Sequence, residues 1–202
     1  MNARISTDLH FTAGVYYHGA MQMNSYILKL WMVTQTADPE NHNIAFERIK
    51  YFVHNVLDSS ILIHQDQQAQ CEKFVQAGLR ITTMPVEPVD QIVGIMLHYK
   101  LNAVMEGRIN IIETEISSVM GDAMVYLHNE AENPDIENKP AWWDSVEPDQ
   151  CDSELVNTDK VVAMPTAESW RDLDLAWPVN DPNKEFGNTI VFADFNKNDA
   201  TE

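Results

Sequence analysis

Cysteine is nearly absent from this chain of 202 residues. Cys71 and Cys151 are the only two, they lie far apart in sequence, and neither belongs to a CxxC motif. This argues against a disulfide framework and against a zinc site built on thiolates. The expected setting is therefore reducing and cytoplasmic.

Long hydrophobic runs and low-complexity segments are also missing. Charged residues interrupt every apolar stretch, so we expect no membrane-spanning helix, which needs about 20 apolar residues. The opening segment MNARISTDLHF has no apolar core, so we expect no secretory signal. Seven Gly and nine Pro are too few for a fibrous protein. The sequence contains no GxGxxG, Walker, GxSxG or HExxH motif either.

Basic residues are scarce: 13 Lys and Arg stand against 31 Asp and Glu, which gives a net charge of -18. Such a surface repels phosphate backbones, so direct binding of nucleic acid is disfavoured. Three interpretations stay open. The charge keeps the protein soluble, it attracts a basic protein partner, or it mimics nucleic acid.

Composition changes near residue 129. All seven His precede this point, whereas residues 130–202 hold four of the five Trp, six of the nine Pro and 18 of the 31 acidic residues. We predict a domain over 1–129 and an acidic extension over 130–202. Large aromatic side chains are normally buried, so the extension should pack on the domain or on a neighbouring subunit. The four Trp concerned are Trp142, Trp143, Trp170 and Trp177, and the best strand candidate is NTIVFADF.

The hydrophobic periodicity of residues 1–129 predicts an α+β fold. SYILKLWMVT alternates with apolar residues on both faces, which is typical of a central strand covered on both sides. We expect an antiparallel sheet with two main helices on one face. The predicted strands are 3–11, 25–34, 108–117 and 123–129, and the predicted helices are 44–57 (capped by Asn43), 67–77 and 89–106.

Two segments resemble the 6-pyruvoyl-tetrahydropterin synthase and 6-carboxy-tetrahydropterin synthase family. NSYILKLWMVTQTADPENHNIAFERIKYFVHNVLD is similar to its strand, DP-containing turn and long helix. MPVEPVDQIVGIMLHYKLNAVMEGRINIIETEIS is similar to its carboxyl half, with a Glu-Thr pair on a strand. The resemblance covers about residues 5–128. It implies the T-fold, and assembly into homo-oligomeric rings with ligand sites between subunits.

The family's catalytic residues are replaced in this chain. Val15, Gln22 and Asn24 stand where the resemblance implies three zinc histidines, and Ser59 stands where it implies the general-base histidine. No Cys precedes Cys71, so the expected catalytic cysteine is missing too. Valine and amide side chains are poor zinc ligands. We therefore predict a catalytically degenerate protein without a cofactor.

One pair of the family's motif persists, Glu113 followed by Thr114. The resemblance implies that Glu113 accepts hydrogen bonds from the guanidine-like edge of a purine- or pterin-like ligand. The alternative is that Glu113 and Glu115 mark the solvated face of an alternating strand.

Two further functions stay open beside a homo-oligomeric binding or structural protein. A divergent synthase or lyase would need a displaced metal site, for which His10 and His18 are the candidate ligands. An acidic interaction protein would bind a basic surface through residues 130–202.

Overall fold

The computed structural model describes residues 4–34, 39–121, 124–129, 142–148 and 169–178. The predicted α+β class is confirmed, and no helix within these ranges is long and apolar enough to cross a membrane. The elements are β1 (Arg4–Tyr17), β2 (Ala20–Thr34), α1 (Pro39–Tyr51), a π-helical segment (Phe52–Leu57), β3 (Ile61–His64), α2 (Gln68–Gln76), β4 (Ile81–Met84), α3 (Asp90–Met105), β5 (Ile109–Ser118), β6 (Tyr126–Asn129) and a 3₁₀ turn (Trp142–Asp144).

The six strands form one sheet in the order β4-β3-β1-β2-β5-β6. Its β1-β2-β5-β6 part is antiparallel and consists of the two predicted hairpins around the helices. The sheet is not antiparallel throughout, however, because β3 pairs parallel with both β1 and β4. Both extra strands have four residues, too few for their periodicity to identify them in the sequence.

The core lies between the helices and the inner face of the sheet. Along β2 the buried side chains alternate, with Leu28, Leu30 and Met32 fully covered. Helix α3 approaches β5 closely at Gly94, where an added Cβ would lie 2.7 Å from Ile116 Cγ2. The glycine therefore sets the distance at which this helix packs on the sheet.

The outer face of the sheet is only partly covered, which corrects the prediction that β2 is buried on both sides. Ile27 is 45% exposed, and Lys29 and Trp31 on the same face are half-buried. The apolar residues on this face suggested burial, but no helix of the described chain covers β2 there.

Helix α1 begins earlier than predicted. It starts at Pro39, and Asn43 lies inside the helix, so the predicted cap at Asn43 is wrong. Proline suits the first helical turn because its fixed φ is helical and its missing N–H has no partner there anyway. Glu40 in that turn also interacts favourably with the helix dipole.

The described parts of the extension, residues 142–148 and 169–178, lie against the body of the protein. Trp142, Trp143 and Trp170 are buried, and Trp142 Nε1 donates to the Thr83 carbonyl at 2.6 Å. The predicted strand NTIVFADF lies outside the described residues. The division at residue 129 stays a prediction.

Two buried cations hold these segments in place. Arg48 donates through Nε to the Leu175 carbonyl at 2.8 Å, and its guanidinium lies over the rings of Trp170 and Trp177. Lys100 is fully buried and donates to the carbonyls of Ser145 and Glu147 at 2.8 and 2.7 Å. The extension thus supplies neutral acceptors and aromatic surface to cations of the body.

Candidate functional site

The tight turn between β1 and β2 brings together the three positions at which the sequence resemblance implies metal ligands. His18 and Gly19 form this turn with φ values of 48° and 80°, which favours a hairpin whose strands twist together. Val15 then lies opposite Gln22, and Asn24 lies two residues further along β2. Sequence reasoning thus located three residues that the structure does bring together.

These three residues line a cavity of about 360 Å³ at the end of the sheet. The start of α3 and the β5–β6 connection form its other walls. The described lining consists of Val15, Tyr17, Ala20, Gln22, Asn24, Tyr26, Pro88, Val89, Asp90, Met120, Gly121 and Tyr126.

Hydrogen bonds fix the β5–β6 connection against this cavity. Ser118 Oγ donates to Asp90 Oδ2 at 2.6 Å, and the Met120 N–H donates to Asn24 Oδ1 at 2.9 Å. Gly121 fits over this pair only because it lacks a side chain: a Cβ there would lie 2.5 Å from both Asp90 Oδ2 and Ser118 Oγ. Asp90 is therefore held at the first turn of α3 with its carboxylate at the cavity wall.

Tyr26 contributes a buried side chain to the same wall. The side chain is 1% exposed, and its ring stacks on Phe11 at 4.7 Å. Burial raises the pKa of Tyr26 well above its ordinary value, a side-chain hydrogen bond with Asn24 opposes this shift, and the charge of Asp90 adds to it.

The chemistry of the cavity does not fit a zinc ion. Its described lining has a single carboxylate and no imidazole or thiol. Among the described residues as a whole, no group of three or more His, Cys, Asp and Glu could hold a metal.

The two histidines proposed as displaced ligands are far apart. His10 is exposed in the middle of β1, and His18 lies in the turn after its end. An extended strand rises about 3.3 Å per residue, so roughly 25 Å of chain separates them. Within one protomer these imidazoles do not share a ligand sphere.

Ser59, at the position where the sequence resemblance implies a general base, takes part in backbone hydrogen bonding. Ser59 has a φ of 63° and donates its N–H to the Thr12 carbonyl at 2.6 Å. Asp58 Oδ1 accepts the Thr12 N–H at 2.7 Å. These reciprocal bonds fasten the end of the π-helical segment to β1.

Glu113 and Thr114 face opposite sides of the sheet. A β-bulge adds Ile112 to β5, because Trp31 pairs with Glu113 while the next residue, Met32, pairs with Ile111. Glu113 therefore lies on the outer face beside Trp31, and Thr114 points into the core. Whether Glu113 binds a ligand stays a prediction.

Thr114 belongs to a buried histidine cluster. His98 is 2% exposed, and its Nδ1 forms a 3.0 Å hydrogen bond with Thr114 Oγ1. Asn102 lies at the other ring nitrogen, and the His128 ring is perpendicular to that of His98 at 4.7 Å. Burial, followed by the proximity of His128, lowers the pKa of His98 from 6.5 to about 4.

This pKa makes the stability of the fold depend on pH. Unfolded His98 takes up its proton near pH 6.5 and folded His98 only near pH 4. The free energy of unfolding therefore has its full value above pH 6.5 and decreases as the pH falls from 6.5 to 4, because protons bind preferentially to the unfolded state. At 1.36 kcal/mol per pH unit between 6.5 and about 4, the loss is about 3 kcal/mol. Urea unfolding of the wild type and His98→Asn across this range should show the stability difference shrinking as pH falls. A difference that does not change with pH would contradict the assignment.

No protein-family model matches the chain, and no curated protein matches it. Solved structures do. A catalytic-residue mutant of Plasmodium vivax 6-pyruvoyltetrahydropterin synthase aligns at 10% identity with a TM-score of 0.40, over 64% of this chain and 99% of that one. The Plasmodium falciparum enzyme aligns at 12% identity and 0.39, over 64% and 98%. A further P. vivax structure aligns at 8% and 0.41, over 64% and 99%.

Proposed function

We propose that the chain is a homo-oligomeric binding protein without catalytic activity, and that it holds a purine- or pterin-like molecule at Glu113. The observation that carries the non-catalytic part is the cavity. Val15, Gln22 and Asn24 converge on it as they would around a metal, yet none of them is a good metal ligand. A site without a metal or a near-neutral base lacks the means to activate a substrate, but it retains a shape that can bind one.

The surroundings of Glu113 support a planar, hydrogen-bonding ligand. Its carboxylate is half-buried on the outer face of the sheet, where both oxygens could accept from two donors in one plane. Trp31, directly opposite on β2, adds aromatic surface, and the cationic ends of Lys29 and Arg4 lie 4.8 and 5.5 Å from its ring centre. An acceptor thus lies beside an aromatic ring.

Exposed apolar surface supports self-association. Seven large side chains, each at least half exposed, crowd the end of the sheet that carries the cavity. Monomeric proteins rarely leave such a group uncovered. A second copy packed on the outer face would also enclose Glu113, consistent with the intersubunit ligand site that the family resemblance implies. The seven residues are Met21, Met23, Val119, Met120, Met124, Val125 and Leu127.

Calorimetric titration with guanine and with pterin tests this proposal. We expect saturable binding to the wild type, at least tenfold weaker binding to Glu113→Ala, and unchanged binding to Glu115→Ala. Glu115 is the matched control because it lies on the same face and strand, 3.8 Å from Lys29. Sedimentation of the same samples should give a mass above one protomer. Equal affinities of the two variants, or a monomeric wild type, would contradict the proposal.

A basic protein partner and a divergent enzyme stay predictions. Within residues 130–202 the structure describes only 142–148 and 169–178, and these pack on the chain itself. No observation among the described residues supports either alternative.

A further inference from the structure

We propose that Asn102 is a positioning residue for the ligand site at Glu113: its amide holds the β-bulge that places the Glu113 carboxylate on the outer face of the sheet. The inference rests on the proposed function, because it concerns the same site. Three observations support it: the change of side-chain alternation along β5, a two-point contact of Asn102 with the backbone, and the tautomer that this contact imposes on a buried histidine.

Strand β5 needs its extra residue because both halves of the strand contribute to the core. Side chains alternate between the two faces of a strand, yet odd-numbered residues are buried before Ile112 and even-numbered ones after it. Continued alternation from Ile111 would direct Glu113 into the core. The bulge therefore determines which face carries this carboxylate. The buried residues are Ile109 and Ile111 in the first half and Thr114 and Ile116 in the second.

Asn102 binds the backbone beside this bulge at two points. From helix α3, its Oδ1 accepts the Ile111 N–H at 2.8 Å, and its Nδ2 donates to the Ile111 carbonyl at 3.2 Å. A bulge disrupts the regular ladder of hydrogen bonds between strands. The side-chain amide offers one acceptor and one donor to a single residue, as a neighbouring strand would. Asn102 therefore fixes β5 at the point where its alternation changes.

The same amide sets the tautomer of His98, which precedes it by one turn of α3. The Ile111 N–H can only donate, so the amide atom facing it is the oxygen, and the other atom is the NH2 donor. This NH2 group lies 3.3 Å from His98 Nε2, which must therefore accept. The ring proton is then on Nδ1 and is donated to Thr114 Oγ1 at 3.0 Å. Burial lowers the pKa of His98 to about 4, so the ring is neutral at pH 7, as this arrangement requires.

Helix α3 thus holds the bulge from both sides. Ile111, before the bulge, is bound by Asn102, and Thr114, after it, is bound by His98. Glu113 lies between these two anchors, with its side chain on the opposite face of the sheet. A carboxylate on a backbone that is already fixed loses less conformational freedom when a ligand binds, so the contact of Asn102 with the bulge should strengthen binding.

The variant Asn102→Leu tests the proposal on the full chain, because leucine has a similar volume but cannot form either hydrogen bond. Hydrogen exchange followed by NMR should show the protection of the Ile111 amide, relative to that of Ile116, falling at least tenfold. Calorimetric titration with guanine and with pterin should show at least tenfold weaker binding. Val104→Ala is the matched control, since it removes fully buried atoms from the same helix. It should lower stability but change neither the relative protection of Ile111 nor the affinity.

A measurement on the wild type keeps the test decisive if Asn102→Leu does not fold. The nitrogen NMR shifts of the His98 ring at pH 7 should show a proton on Nδ1 and none on Nε2. A proton on Nε2, or unchanged relative protection of Ile111 in Asn102→Leu, would overturn the contact with the bulge. Lost protection with unchanged affinity would overturn the positioning role. A wild type that binds neither guanine nor pterin would contradict the proposed function, whereas the exchange and tautomer results would still decide whether Asn102 holds the bulge.

Discussion

Replacing Arg48 with alanine should destabilise the protein by about 3 kcal/mol, the lower end of the range for breaking a buried charged pair, because its partner Glu106 is 34% exposed. Arg48 is 2% exposed and joins three parts of the chain. Its Nη1 donates to the Val104 carbonyl at 2.9 Å and to Glu106 Oε1 at 2.8 Å, and its Nε donates to the Leu175 carbonyl. Alanine would remove the donor of the Val104 and Leu175 carbonyls and the ion pair to Glu106.

The aromatic contacts of Arg48 add to the effect. Its guanidinium carbon lies 4.7 Å from the centre of the Trp170 ring and 4.0 Å from that of Trp177. Trp177 in turn donates to the same Glu106 carboxylate at 2.7 Å. Burial lowers the pKa of Arg48 and Glu106 opposes the shift, which is the balance expected of a cation kept charged by its partners.

Urea unfolding followed by circular dichroism measures this loss, with Arg171→Ala as the control. Arg171 is exposed in the same segment as Trp170, so its replacement should change stability by about 0.5 kcal/mol at most. Equal stability of Arg48→Ala and Arg171→Ala would show that the extension is not anchored through Arg48.

Replacing Trp142 with alanine should cost about 3–5 kcal/mol as well, the range for deleting a large buried aromatic side chain. Trp142 is 6% exposed and stacks near Phe52, with ring centres 6.2 Å apart. Its indole N–H donates to Thr83 in β4, the edge strand of the sheet. The substitution would thus open a cavity and leave a carbonyl unpaired.

The variant Trp142→Phe separates the two contributions. Phenylalanine keeps most of the aromatic packing against Phe52 but loses the hydrogen bond to Thr83, so we expect about 1–3 kcal/mol. Thermal and urea unfolding of both variants provide the values. A loss in Trp142→Ala no larger than in Trp142→Phe would indicate that the ring makes no packing contribution.

Most of the correct fold prediction came from long segments with a regular hydrophobic pattern. Helix α3 and strands β2 and β5 have enough residues for their patterns to be distinctive, and their bounds fall within two residues of those predicted, except the start of β2. β3 and β4 are too short for that. The β-bulge at Ile112 depends on the pairing between strands, which a single strand's pattern does not show.

Only part of the candidate site could be predicted from the sequence. The family resemblance pointed to Val15, Gln22 and Asn24, but nothing in the residues indicated that Tyr26 and Asp90 would join them. Tyr26 belongs to a buried strand pattern and Asp90 to a helix start, and both patterns are explained by local structure alone. Their convergence results from tertiary packing of β2 against the first turn of α3.

The two buried cations of the body also bear on how the chain folds. Arg48 and Lys100 each donate to backbone carbonyls beyond the compositional border at 129, so part of the hydrogen bonding of both cations forms only when those residues dock. A substitution at either cation removes contacts on both sides of this border. We therefore expect residues 142–148 and 169–178 to unfold together with the body in one cooperative transition.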